Sequence, residues 1–141
     1  MTLNVILRLN NLKNINFAEV NKFFRYRKMG QMIELGRELL RINSAKNTVE
    51  YSKDGRNWIQ RGPTFNRGIL RDLCLFGQYV YAASSKGVYF SKDKGLNWWP
   101  KTVTPIYGEF QSLMVSGTQL YAVTSKGTYY SKDGGVNWIR T

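Results

Sequence analysis

An internal repeat of about 40 residues constrains this chain more than any other feature of its sequence. Three segments read alike: Tyr51-Ser-Lys-Asp-Gly-Arg-Asn-Trp58, Phe90-Ser-Lys-Asp-Lys-Gly-Leu-Asn-Trp98 and Tyr130-Ser-Lys-Asp-Gly-Gly-Val-Asn-Trp138. Their tryptophans lie 40 residues apart both times, and Asp54, Asp93 and Asp133 are separated by 39 and then 40. The likeness extends upstream. Leu73-Cys-Leu-Phe-Gly77-Gln-Tyr-Val-Tyr-Ala-Ala-Ser-Ser-Lys-Gly87 matches Leu113-Met-Val-Ser-Gly117-Thr-Gln-Leu-Tyr-Ala-Val-Thr-Ser-Lys-Gly127 nearly position by position. Met32-Ile-Glu-Leu-Gly36-Arg-Glu-Leu-Leu-Arg-Ile-Asn-Ser44 is the same segment in a more diverged form. Residues 31–141 therefore divide into three copies, at about 31–64, 65–104 and 105–141, and residues 1–30 stand outside them.

Each copy has the grammar of a four-stranded antiparallel meander. In the second, residues 69–76 read as a first strand, Gly77-Gln78 as a turn, and 79–84, 88–91 and 97–103 as three further strands. β-Branched and aromatic residues fill the strands, and Gly or Asn fills the turns. Ser-Lys-Gly at 85–87 and 125–127 supplies a residue able to take a positive φ in a tight hairpin; in the first copy Asn47 takes that place after a slightly longer loop. A period near 40 with four strands per period is the signature of a β-propeller blade. The expected fold is all-β, three blades with an N-terminal extension.

The recurring Ser-Lys-Asp-x-Gly-x-Asn-Trp resembles the Asp-box, or bacterial neuraminidase repeat, whose pattern is Ser-x-Asp-x-Gly-x-x-Trp. The second and third copies match it in full at Ser91, Asp93, Gly95 and Trp98, and at Ser131, Asp133, Gly135 and Trp138. The first, Ser52, Asp54, Gly55 and Trp58, is one residue shorter between Asp and Trp. The resemblance covers roughly four-fifths of the chain and implies that each box forms the turn between the third and fourth strands of a blade. Physically, an Asp carboxylate and a Ser hydroxyl accept backbone N–H bonds across a tight turn, Gly takes the left-handed conformation, and Trp packs on a neighbouring strand or blade. These residues are expected to staple the fold, and their aspartates, one per blade, to lie too far apart for a shared metal.

Counting excludes several chemistries. The chain has no histidine and a single Cys74, which removes Ser-His-Asp and Cys-His catalysis, an intramolecular disulfide and a thiolate metal cage. With the box aspartates engaged, Glu19, Glu34, Glu38, Glu50, Asp72 and Glu109 remain for acid chemistry. The families that carry Asp-boxes include sialidases, but those need an arginine cluster and a tyrosine nucleophile on a closed ring, and propellers close with about four to eight blades. Tyr81, Tyr121, Tyr89 and Tyr129 fall at repeat positions where strand packing accounts for them. No catalytic residue, metal site or cofactor is expected.

Charge points to partners. Twenty-one Lys and Arg against nine Asp and Glu give +12, of which residues 1–30 carry +5. Lys53, Lys92 and Lys132, like Lys86 and Lys126, recur in phase, as exposed turn positions do. Lys22, Phe23, Phe24, Arg25, Tyr26, Arg27 and Lys28 interleave cations with rings outside that phase. That stretch, strand or helix, is the candidate docking element for an acidic partner surface. Nucleic acid is a weaker reading, because no RNP, KH or helix-turn-helix pattern accompanies the charge. Three blades leave open inter-blade faces, with Trp58, Trp98 and Trp138 expected to line them, and a protein partner or a second copy is expected to cover them. No apolar window approaches the length of a membrane span, and the start lacks a basic leader, being interrupted at Asn4 and Arg8. A soluble cytoplasmic or virion protein is expected, working as a non-catalytic structural or interaction module, with a glycan-binding propeller as the competing reading.

Overall fold

The computed structural model describes residues 32–141. Twelve strands fall into three four-stranded antiparallel sheets, each a simple meander. Blade 1 holds β1 (Ile33–Leu35), β2 (Glu38–Asn43), β3 (Thr48–Ser52) and β4 (Ile59–Arg61). Blade 2 holds β5 (Leu70–Phe76), β6 (Tyr79–Ser84), β7 (Gly87–Ser91) and β8 (Trp99–Thr102). Blade 3 holds β9 (Phe110–Ser116), β10 (Gln119–Thr124), β11 (Gly127–Ser131) and β12 (Ile139–Arg140), with a one-turn 3₁₀ helix at Pro105–Tyr107 before it. The expected four-strand unit is present three times. Its fourth strand is shorter than the sequence suggests, 99–102 instead of 97–103, because Asn97 and its counterparts belong to the preceding turn.

Strand register fixes which residues of the three blades correspond. Ser52, Ser91 and Ser131 lie opposite Leu39, Val80 and Leu120, and Glu50, Tyr89 and Tyr129 lie opposite Arg41, Ala82 and Ala122. Alternate side chains of a strand point to opposite sheet faces, and blade 2 buries both. Leu73, Val80, Ala82 and Tyr89 join Ile33, Leu40 and Val49 in the core between blades 1 and 2. Cys74, Tyr81, Ala83 and Val88 join Phe110, Leu113, Leu120, Ala122, Tyr129 and Trp138 in the core between blades 2 and 3. Sandwiching explains why β6 reads Tyr-Val-Tyr-Ala-Ala-Ser without polar alternation, whereas β10 buries only every second residue.

Polar groups lock the linkers between blades. Asn47, left-handed at φ 54°, donates to the carbonyls of Phe65 and Gly68, 3.0 Å each, and accepts the Leu70 N–H at 2.8 Å. From the other side, Ser85 Oγ accepts the Ile69 N–H at 2.8 Å and Ser84 Oγ donates to the Arg67 carbonyl at 2.7 Å. Thr124 and Ser125 repeat the second grip on Tyr107 and Glu109. The glycine after each Ser-Lys has a steric reason in blade 2: a Cβ on Gly87 would lie 1.9 Å from the Thr102 carbonyl oxygen. Nearer the start of the blade, Asp72 accepts the N–H groups of Leu73 and Leu113, at 2.9 and 2.8 Å, tying β5 to β9.

Candidate functional site

The three Ser-Lys-Asp turns are built alike. Ser52, Ser91 and Ser131 donate to Oδ1 of Asp54, Asp93 and Asp133 at 3.0, 2.8 and 2.8 Å, and accept the N–H of Gly55, Gly95 and Gly135 at 2.8, 2.8 and 2.9 Å. Each Oδ1 also accepts the backbone N–H of Asn57, Asn97 or Asn137, while the same asparagine's Nδ2 donates to Oδ2. The asparagine is thus a full member of the turn. Its signal stood in the sequence, since Asn precedes Trp in every copy. The missing residue of the first turn removes one left-handed position: Lys94-Gly95 and Gly134-Gly135 have positive φ, where the first turn has Gly55 alone.

These bonds set the acidity of the carboxyls. Backbone and side-chain donation from Asn137, with Ser131, holds Asp133 down to about 2, and donation from the N–H groups of Asn57 and Arg56 holds Asp54 far below the usual carboxylate range. Burial pushes Asp93 up, but the bonds from Asn97 and Ser91 outweigh it and leave it lowered. All three stay ionised acceptors at neutral pH, unsuited to donating a proton.

The tryptophans that end the turns part company. Trp138 is buried, 5.2 Å from Phe110 between ring centroids, with its Nε1–H on Thr102 Oγ1 at 2.9 Å. Thr102 Oγ1 in turn donates to the Gly135 carbonyl, and the Tyr81 hydroxyl donates to Gly134 at 2.8 Å. Burial raises Tyr81 to about 12, so it remains a donor. Trp98 packs on the core between blades 1 and 2, edge-on to Phe65 at 5.7 Å. Trp58 instead lies under the Arg41 guanidinium, 4.0 Å away. The expectation that all three line open faces is corrected for Trp98 and Trp138, because the preceding blade supplies each with a partner surface.

Two neighbouring surfaces flank the second turn. Between blades 1 and 2 a cleft of about 1180 Å³ is lined by Arg37, Glu38, Tyr51, Lys53, Arg61 and Lys94, among others. On its wall Arg61 forks onto Glu38 at 2.6 and 3.1 Å, stacks over Tyr51 at 4.0 Å and donates to the Lys94 carbonyl at 3.3 Å. That hydrogen bond and charge lower Glu38. Beside it, on blade 2, Tyr79, Phe90 and Trp99 form a run of rings with centroids 5.7 and 6.1 Å apart. Sequence reasoning singled out neither surface, for each depends on which exposed side chains the register brings together. Among the described residues no three His, Cys, Asp or Glu side chains group as a metal site requires, and no helix is long and apolar enough to cross a membrane. The basic stretch Lys22, Phe23, Phe24, Arg25, Tyr26, Arg27 and Lys28 lies outside the described residues.

A family model described as a DUF6242 beta propeller domain matches residues 16–141. No curated protein matches the chain.

Proposed function

Since the chain belongs to the DUF6242 beta propeller family, we propose that it is a non-catalytic interaction module, one small part of a larger assembly such as a phage tail or virion. The far face of blade 3 carries this reading. Tyr121, Val123 and Thr128 correspond by register to Tyr81, Ala83 and Val88, which blade 2 buries against blade 3. The far face of blade 1 is different in kind: Arg41 and Glu50 pair at 2.9 Å where the other blades carry Ala and Tyr. One end of the stack is polar and the other keeps the residues of a seam, so a protein covers the second, a further copy in the simplest case. The basic stretch at 22–28 contacts an acidic surface of that assembly. Resemblance of the three turns to the Asp-box supports a structural role for their residues.

Chemistry is disfavoured by what the carboxylates already do. Glu38, Glu50 and Glu109 accept from Arg61, Arg41 and Arg71; Asp72 and the turn aspartates accept backbone N–H bonds. Among the described residues only Glu34 stands outside such a bond, and paired acid–base hydrolysis takes two carboxyls. Light scattering on the full chain tests the reading: a native mass above the 16.3 kDa of one chain, lowered by Val123→Lys, is expected. A monomer whose mass and solubility are indifferent to that substitution would overturn it.

A further inference from the structure

At two exposed positions blade 2 departs from its sisters. By register Tyr79 and Trp99 stand where blade 1 has Glu38 and Ile59 and blade 3 has Gln119 and Ile139, on either side of a ring that all three blades keep, Tyr51, Phe90 or Tyr130. The scaffold therefore folds without either aromatic. Both are left in water, Tyr79 39% and Trp99 40% exposed, an arrangement that costs hydration free energy unless something covers the rings.

Cations sit over the same rings. The Lys92 ammonium is 5.6 Å from the centroid of Phe90 and 5.4 Å from that of Trp99, and the Lys101 ammonium is 4.5 Å from Phe90. Among the described residues neither lysine takes part in a salt bridge. Two like charges on one ring repel, so the occupant that fits is anionic as well as flat-faced. Lys94, two residues from Lys92 on the same turn, lines the neighbouring cleft with Arg37 and Lys53, where Glu38 pairs with Arg61 and lies 3.9 Å from Lys94 itself, so the unpaired charge at the rings is concentrated on Lys92 and Lys101. The groups over the rings are point charges, which hold phosphates without reading hydroxyl patterns. Successive π-faces flanked by cations are what a single strand needs.

We propose that Tyr79, Phe90 and Trp99 with Lys92 and Lys101 form a binding platform for single-stranded nucleic acid, bases stacking on Trp99 and Tyr79 and phosphates meeting the two lysines. The site is separate from the blade 3 face and holds whether or not the chain assembles.

Fluorescence anisotropy of a labelled oligothymidylate of about 20 nucleotides, titrated with the full chain between 50 and 300 mM salt, tests it. Binding should weaken steeply with salt. Trp99→Ala should weaken it about ten-fold, while Ile59→Ala and Ile139→Ala, at the same register position in the other blades, leave it unchanged. Lys92→Gln with Lys101→Gln should flatten the log–log salt slope by about 1.4, for two lost phosphate contacts. Thermal melting of each variant verifies that its fold is intact. Three results would overturn the proposal: no binding at 50 mM salt, binding indifferent to Trp99→Ala, as the basic stretch at 22–28 acting alone would give, or a uronic-acid polysaccharide that displaces the oligonucleotide at lower charge-equivalent concentration.

Discussion

Trp138 rests against Phe110 with its indole N–H on Thr102, whereas Trp58, at the same place in the repeat, is stacked under the Arg41 guanidinium. The turns that carry them share their hydrogen bonds. The first turn is one residue shorter, and the larger difference is the preceding blade, which presents Tyr81 and Thr102 to the third turn; among the described residues no blade precedes the first. The repeat encodes a local turn, and the neighbour decides whether its tryptophan becomes core. Trp138→Ala should therefore destabilise by about 3–5 kcal/mol, Trp98→Ala by less, and Trp58→Ala by only about 1 kcal/mol. Urea midpoints at unchanged m-value measure this ordering, and equal losses at the three sites would break the comparison.

The polar end of blade 1 gives the second way to test it. Arg41→Ala leaves Glu50, a buried residue, with Asn43 as its remaining side-chain donor at 3.1 Å, and should cost about 1–2 kcal/mol. Arg41→Ala combined with Glu50→Tyr installs the pair that blades 2 and 3 carry at their seams. That double variant should recover stability and raise the native mass in light scattering, since a seam-like face has then been created at the other end. An unchanged mass would show that the ion pair does not keep this face from associating.

Much of this architecture was legible in the sequence because the repeat is in phase. The period gave three blades, and the Gly and Asn positions gave the hairpins, Asn47 among them, where a left-handed residue is needed. The seams were less legible. The one-residue deletion in the first turn is visible locally, but it does not reveal that Trp138 becomes core and Trp58 does not, because Trp138's partners Phe110 and Thr102 lie far from it along the chain, Thr102 a blade away. A signal for the polar end did exist: the diverged copy places Arg41 where the others have Ala82 and Ala122, a charge at a position that stacked blades bury. Asn47's hold on the Phe65–Leu70 linker, and the ring run of Tyr79, Phe90 and Trp99, arise from register across loops and strands. Spacing along one copy does not reveal them.

Acid should act on all three turns together. The carboxyl of Asp133 falls from 3.8 to about 2 on folding, and those of Asp54 and Asp93 are also lowered. A lowered folded-state value means that the folded chain binds fewer protons than the unfolded one. The stabilisation is complete above about pH 4 and is lost as pH falls toward 2. Asp133→Asn should be less stable than the parent at pH 7, with the difference shrinking between pH 4 and 2 as the parent carboxyl protonates. A gap that stays constant over that window would mean that charge on the turn contributes nothing. The turns are solvent-facing, so the effect should be smaller than those of the tryptophans.

The smallest expected effect separates the second turn from the third. Lys94 and Gly134 hold the same left-handed position, at φ 63° and 74°. A side chain there costs about 1 kcal/mol in the folded state, partly offset because glycine loses more backbone freedom on folding. Lys94 also lies 3.9 Å from Glu38, but as a 64% exposed side chain it draws little from that contact. Lys94→Gly should therefore stabilise by about 0.5 kcal/mol, and by slightly more at high salt, where the ion pair with Glu38 is screened. Gly134→Lys should do the reverse. A Cβ there meets the Tyr81 hydroxyl at an ordinary 3.5 Å, so the loss would come from backbone conformation and the nearby Lys101 charge, without steric overlap. Thermal melts of the two variants in low and high salt decide it: shifts of the same sign would show that φ at this position does not set the difference between the turns.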